Sequence, residues 1–255
     1  MSVEIFGDTH GYLEANKLGY RHFHAGKKMT RDDYVIVCGD FGFPFLDDDF
    51  HPEAIHDPNS RIRSRRKSYL NWMRWLNRLP FTILFVDGNH DNHPYWYSLP
   101  VEEWHGGLVN RSPDADNVIH LKRGEVFSID GHTFWTFGGA CSHDKMFRTM
   151  GVDWWPEEVA SYEEMQHGLD NLARYGNQVD FIITHTLPMK KLREFGFASV
   201  YADPMASYFN EVLNTATFKQ WYCGHMHEDL QDEEMKVTVV YEKHHHIPCS
   251  DISST

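Results

Sequence analysis

The chain has 255 residues, 41% hydrophobic and 24% charged, enough to bury a sizeable core in one large domain or two small ones. Its net charge is −13, from 24 basic against 37 acidic residues, so the overall field repels nucleic acid and anionic membrane. No apolar run reaches the 18 residues of a membrane span, and the four cysteines lie apart with no Cys-x-x-Cys, which predicts reduced thiols in a cytoplasmic protein.

Residues 3–7 read as a buried strand, entered without a basic and apolar leader, and end in Asp8-Thr9-His10-Gly11. A helix is expected around residues 13–24. Residues 34–38 form a second apolar run, followed by Gly39-Asp40-Phe41-Gly42-Phe43. Residues 44–60, with prolines and Asp47-Asp48-Asp49, have no period and read as loop. Tyr69, Trp72, Met73, Leu76 and Leu79 recur at helical spacing and predict a helix over 63–79, closed by Pro80. Residues 81–86 are a third strand, delivering Gly88-Asn89-His90-Asp91 at its carboxyl end. Residues 92–117 read as an irregular excursion.

The pattern then changes. Residues 118–121, 125–129 and 133–137 are short apolar runs joined by local turns, which predicts antiparallel pairing among them. A loop over 141–157 follows. Ser161 and Glu164 form a capping box that starts a helix running to about Tyr175. Residues 179–184 are a strand ending at His185, and a helix is expected around 206–214. Residues 218–223 are a strand ending in Gly224-His225-Met226-His227, and 235–242 a last strand. This organisation predicts an α/β fold: two mixed sheets packed face to face and flanked by helices, a four-layer α-β-β-α sandwich. It is read as one domain over 1–243, with insertions at about 44–80 and 92–117 and a polar, frayed tail over 244–255.

Five strands thus end in metal-binding chemistry: Asp8 and His10; Asp40; Asn89, His90 and Asp91; His185; His225 and His227. Asp8/His10 and His225/His227 are two apart and would point the same way on an extended chain. If Asp40 bridges, seven residues give each of two metals four protein ligands, the arithmetic of a two-metal site. Four imidazoles with few carboxylates suit Mn, Fe, Zn, Co or Ni better than Mg or Ca.

In order and chemistry these motifs resemble the calcineurin-like metallophosphoesterase family, from residue 7 to residue 227. The resemblance implies the two-sheet sandwich and a dinuclear centre. Asp8, His10, Asp40 and His227 would hold one metal, and Asp40, Asn89, His185 and His225 the other. His90 would be the general acid, steered by Asp91, and a hydroxide bridging the metals would attack phosphorus in line. The second motif lacks the further acidic residue common in protein Ser/Thr phosphatases. The third reads Asn-His-Asp without a following arginine. The resemblance therefore implies a phosphodiesterase or phosphatase acting on a small, nucleotide-like ester, with manganese as the first metal to try.

Softer features carry two readings each. The run Arg61, Arg63, Arg65, Arg66 and Lys67 either reaches substrate phosphates from a cap or pairs with Asp47, Asp48 and Asp49 on a solvated face. Residues 138–148, with His143, Asp144 and Arg148, are a rim contact or an ordinary turn. A nucleic acid polymer is disfavoured by charge, and a homodimer is suggested by the aromatic surplus. The rival function is a non-catalytic scaffold for protein interactions. It is disfavoured because His90 and all seven ligand positions are occupied.

Overall fold

The computed structural model describes residues 1–45, 56, 60–201 and 203–249. Its strands form where the apolar runs are continuous, because they are buried on both faces. In β2 (Tyr34–Val37), Val35 and Val37 face a helix-covered layer, while Tyr34 and Ile36 face the opposite sheet. The same alternation holds in β3 (Thr82–Phe85), with Ile83 and Phe85 on one side and Leu84 on the other.

Three apolar layers result. The first lies between one sheet and α1 (Ser60–Leu76) with α2 (His93–Ser98), and includes Tyr69, Met73, Leu76 and Trp96. The second lies between the sheets. The third packs the other sheet against α3 (Tyr162–Arg174), α4 (Met189–Glu194) and α6 (Pro204–Thr215), with the short α5 (Ala198–Tyr201) alongside. This is the α-β-β-α sandwich expected from the sequence.

The first sheet has seven strands. It adds β1 (Val3–Phe6), β4 (Val101–Trp104), β5 (Gly107–Arg111), β6 (Val118–Leu121) and β13 (His245–Ile247), in the order β13-β1-β2-β3-β6-β5-β4. The second has six: β7 (Glu125–Ile129), β8 (His132–Phe137), β9 (Phe181–Thr184), β10 (Gln220–Cys223), β11 (Leu230–Asp232) and β12 (Val237–Val239), in the order β11-β12-β10-β9-β8-β7. β1, β2, β3 and β6 are parallel, as are β8, β9, β10 and β12. Their carboxyl ends deliver the loops of the site.

Several expectations are corrected. Residues 13–24 do not form an α-helix but a 3₁₀ turn over Ala15–Leu18, which Gly19 ends by donating to the Asn16 carbonyl at 2.9 Å. A second such turn spans Ala25–Lys28. The excursion over 92–117 contains α2 and the hairpin β4–β5, which extends the first sheet. Residues 118–121 do not pair with 125–129. β6 runs parallel to β3, and the chain crosses to the second sheet through Lys122-Arg123-Gly124. Only β7 and β8 form the antiparallel hairpin of that stretch. The tail is not frayed at its start: β13 pairs antiparallel with β1, with Ile247 buried and His246 Nδ1 2.9 Å from Glu4. Most of the 44–60 loop, including Asp47, Asp48 and Asp49, lies outside the described residues.

Candidate active site

The loops after β1, β2 and β3 in one sheet, and after β9 and β10 in the other, converge at one end of the sandwich. The carboxyl ends of parallel strands are the usual place for a site. Asp8, Asp40, Asn89, Asp91, His185 and His225 are buried there, His10 and His90 partly so, and the His227 side chain is 47% exposed. The backbone is not extended as the spacing suggested. His10, Asp40, His225 and His227 have φ of 40°, 49°, 72° and 52°, a left-handed region that costs a non-glycine residue on the order of 1–3 kcal/mol. These kinks turn the side chains off the strand ends and into a shared space. Two glycines permit the approach. A methyl group on Gly88 would overlap an Asp40 carboxylate oxygen, and one on Gly224 would overlap an Asp8 oxygen.

Three overlapping groups of potential ligand atoms form: an outer triad of Asp8, His10 and His227, an inner triad of Asp40, His185 and His225, and between them His10, Asp40 and His90. His227 Nε2 lies 3.2 Å from Asp8 Oδ2. Asp40 stands between the triads, with Oδ1 3.4 Å from His185 Nε2 and Oδ2 3.3 Å from His10 Nε2. Asn89 joins the second group, its Oδ1 3.1 Å from His185 Nε2. Asp40 Oδ2 and His225 Nε2 are buried without a well-aligned hydrogen-bond partner. Polar atoms left so poorly satisfied in a buried cluster fit a cation, because their burial is otherwise costly. The donor set of imidazole, carboxylate and one amide oxygen fits divalent transition metals.

The surroundings fix the rings. His185 Nδ1 donates to the Cys38 carbonyl at 2.8 Å, and a carbonyl can only accept, so Nε2 is the nitrogen that faces the cluster. His10 Nδ1 likewise lies 2.7 Å from Glu14 Oε2, which directs its Nε2 inward. The other Glu14 oxygen accepts from Tyr241 at 2.8 Å, and the Tyr241 ring stacks on His227 at 4.8 Å. Glu14 and Tyr241 thus tie together the two histidines of the outer triad. Such carboxylate–histidine contacts orient metal ligands.

Charge explains the titration. Burial acts to lower the pKa of His10, but Asp40, Asp8 and Glu14 raise it to about 9. His185 is raised to about 10, again against burial, by Asp40 and Asp8. Burial, aided by His185, drives His225 well below the ordinary imidazole value, so it is neutral. Asp40 is held far below the usual carboxylate range despite burial, chiefly by His185 and His90.

The pairing of His90 with Asp91 is corrected. Asp91 turns inward and accepts from the backbone N–H groups of Gly42 and Gly88 at 2.7 Å and of Phe41 at 3.3 Å, so it braces the loops after β2 and β3. Burial and Asp40 push its pKa up to about 6. The His90 ring lies instead against Arg148, whose Nη2 is 3.4 Å from His90 Nε2, and meets the His10 ring edge on at 5.6 Å. Burial lowers the His90 pKa, with Arg148 acting in the same direction. Both residues line a mouth of about 380 Å³ with His10, Tyr12, Leu13 and Phe45. The loop over 138–148 is therefore a rim element. It also supplies Ser142, whose Oγ accepts from Asn89 Nδ2 at 3.1 Å and donates to Glu158 at 2.6 Å.

Arg66 does not reach the mouth. It is buried 3.8 Å from Asp114, with its guanidinium over the Tyr69 ring. Glu14 could have been suspected from its place four residues after His10, but Tyr241 and Ser142 carry no signal in sequence.

Comparison with known proteins agrees with this geometry. The calcineurin-like phosphoesterase family profile matches residues 1–229. A lariat debranching enzyme of Drosophila melanogaster is 22% identical over 246 residues, 89% of this chain and 43% of that protein. The Schizosaccharomyces pombe lariat debranching enzyme is 25% identical over 131 residues, 51% of this chain and 24% of that protein. The chain spans less than half the length of either relative. With its strand-end carboxylates and imidazoles set in a two-sheet sandwich, and the family profile running through all of them, the chain belongs to the calcineurin-like phosphoesterases.

Proposed function

We propose that the chain is a metal-dependent phosphodiesterase with a dinuclear centre. The observation that carries this reading is the Asp40 carboxylate. It is buried, its two oxygens face different histidines at 3.3 and 3.4 Å, and of these His10 also groups with Asp8 and His227 while His185 groups with His225. A carboxylate so placed suits a bridge. Asp8, His10, Asp40 and His227 would hold one ion, and Asp40, Asn89, His185 and His225 the other. Two divalent cations, manganese among those that suit the donors, would supply Lewis-acid charge and an activated water.

The chain's own groups account for the remaining steps. Arg148 offers a guanidinium to the non-bridging oxygens of a phosphate in the mouth. His90 is placed to protonate the leaving oxygen. Its lowered pKa leaves it neutral in the empty mouth, and the negative charge of a bound phosphate offsets Arg148 and restores the proton. Asp91 acts as a brace for the loop that carries His90, so its effect on catalysis is indirect. A diester is favoured because both curated relatives are named for debranching lariats, whose branch is a phosphodiester.

The test is hydrolysis of bis-p-nitrophenyl phosphate and p-nitrophenyl phosphate by metal-stripped protein refilled with Mn²⁺. Diester turnover is expected, falling by about 10²–10⁴ in His90→Ala, the range for loss of a general acid, while two ions stay bound. Turnover of the monoester alone would reject the diesterase reading. Absence of bound metal would reject the centre itself.

A further inference from the structure

The cations of this chain are not spread evenly. Residues 15–31 carry Lys17, Arg21, Lys27, Lys28 and Arg31, residues 60–78 carry seven more, and neither stretch holds an aspartate or glutamate. Half of the 24 basic residues thus sit in two short segments, while all 37 acidic residues lie elsewhere. The fold sets these segments side by side. Arg31 donates to the Asn77 carbonyl at 2.6 Å. Tyr20, Arg21 and His22 from one segment, and Trp72 and Trp75 from the other, wall a cavity of about 560 Å³.

The two tryptophans meet edge to face at 5.3 Å and are only half-buried, so ring surface remains open to a ligand. Among the described residues, Arg21, Lys28 and Arg78 are exposed and meet no carboxylate. Both tryptophans pack one side against the core below, which leaves their outer faces at the open cavity. The mouth lies close by on the surface: exposed Leu13 lines the mouth and exposed Asn16, three residues on, lines the cavity, while a chain of ring contacts joins the two through the buried Phe43. Trp72 contacts Phe43 at 5.9 Å, Phe43 contacts Tyr12 at 5.1 Å, and Tyr12 lines the mouth.

We propose that this face holds a single strand of nucleic acid, with one base stacked in the Trp72–Trp75 cavity and a neighbouring phosphodiester delivered to the mouth. The inference rests on the phosphodiesterase reading and names its substrate class. Aromatic platforms beside a cationic track are how single strands are held without regard to sequence. The acidic remainder of the surface repels the strand everywhere else and so confines it to this track. Net charge taken as an average disfavours such a polymer. The local field, which acts within about a Debye length, does not. A mononucleotide or small diester would need only the mouth.

The test uses the metal-loaded full chain and a fluorescein-labelled twelve-nucleotide oligouridylate. Anisotropy is followed over a salt series, with bis-p-nitrophenyl phosphate turnover measured in parallel. Binding is expected to quench tryptophan fluorescence and weaken as salt rises. Trp75→Ala should weaken binding about tenfold, the loss of one stacked base. The pair Arg21→Glu with Arg78→Glu, both on exposed positions, should weaken it further and flatten the salt slope. Small-diester turnover should not change in any of these variants. The proposal is overturned if the wild type fails to bind the strand, or if the double reversal binds with wild-type affinity and slope. If the strand binds as expected but no diester is hydrolysed, the phosphodiesterase reading fails and the binding face stands.

Discussion

His10 and His185 hold protons in the metal-free protein at neutral pH, with pKa values raised to about 9 and about 10 by the carboxylates beside them. A cation must displace those protons, because only the neutral imidazole is a ligand. Mn²⁺ affinity should therefore rise with pH from 6 towards 9, and binding at pH 7 should release protons. Calorimetry in two buffers of different ionisation enthalpy measures that release, and a buffer-independent heat would contradict the assignment. Glu14→Gln should weaken one of two Mn²⁺ sites by about 10–100-fold, the range for loss of a ligand-orienting contact, and leave the other unchanged in a binding isotherm. At this scale the residues that the fold gathers into one cluster were legible in sequence because five apolar runs each end in an acid, amide or imidazole group. The direction of Asp91 was not. It depends on how the chain bends after β3, and adjacent residues on a bent chain need not face the same target.

The crossover between the sheets decides more at the scale of elements than any single strand. Arg123 leaves β6 and buries its guanidinium against Asp87, which also faces His120 at 3.1 Å and His93 at 3.3 Å. Asp87 precedes the loop of Asn89 and His90, and its carbonyl accepts from Gly139 of the second sheet at 2.7 Å. Arg123→Ala would leave a buried carboxylate without its strongest partner, at a cost of about 3–5 kcal/mol. Urea denaturation should show the midpoint fall accordingly, and an unchanged midpoint would mean the pair is not structural. The same crossover explains why the order of strands was only partly legible. A short turn between apolar runs looks alike whether it closes a hairpin, as at Asp130-Gly131, or changes sheets, as at Lys122-Arg123-Gly124. What separates the cases is a long-range ion pair that local sequence does not carry. β13 was missed for a related reason. Its residues, His245, His246 and Ile247, look polar, and only the waiting edge of β1 makes them a strand.

At the scale of the whole molecule, the site is a seam. Asp8, His10, Asp40 and Asn89 follow strands of one sheet, while His185, His225 and His227 follow strands of the other. The Asp8–His10–His227 and Asp40–His185–His225 triads each draw on both sheets, so ions held there would clip the halves of the sandwich together as well as serve chemistry. Linkage gives the consequence: a ligand bound only by the folded state stabilises it by about 2.7 kcal/mol at a hundred times its dissociation constant. The metal-free protein should therefore melt at a lower temperature than the loaded one, and Tm should climb with Mn²⁺ concentration. Asp40→Asn would weaken the proposed bridge, so its Tm should respond much less to the ion. It should also lose less than the wild type on chelation. Differential scanning calorimetry with and without EDTA distinguishes the outcomes. A wild-type Tm indifferent to chelator would mean that the seam is held by hydrogen bonds and packing alone, and that the cluster of imidazoles and carboxylates is not a metal centre.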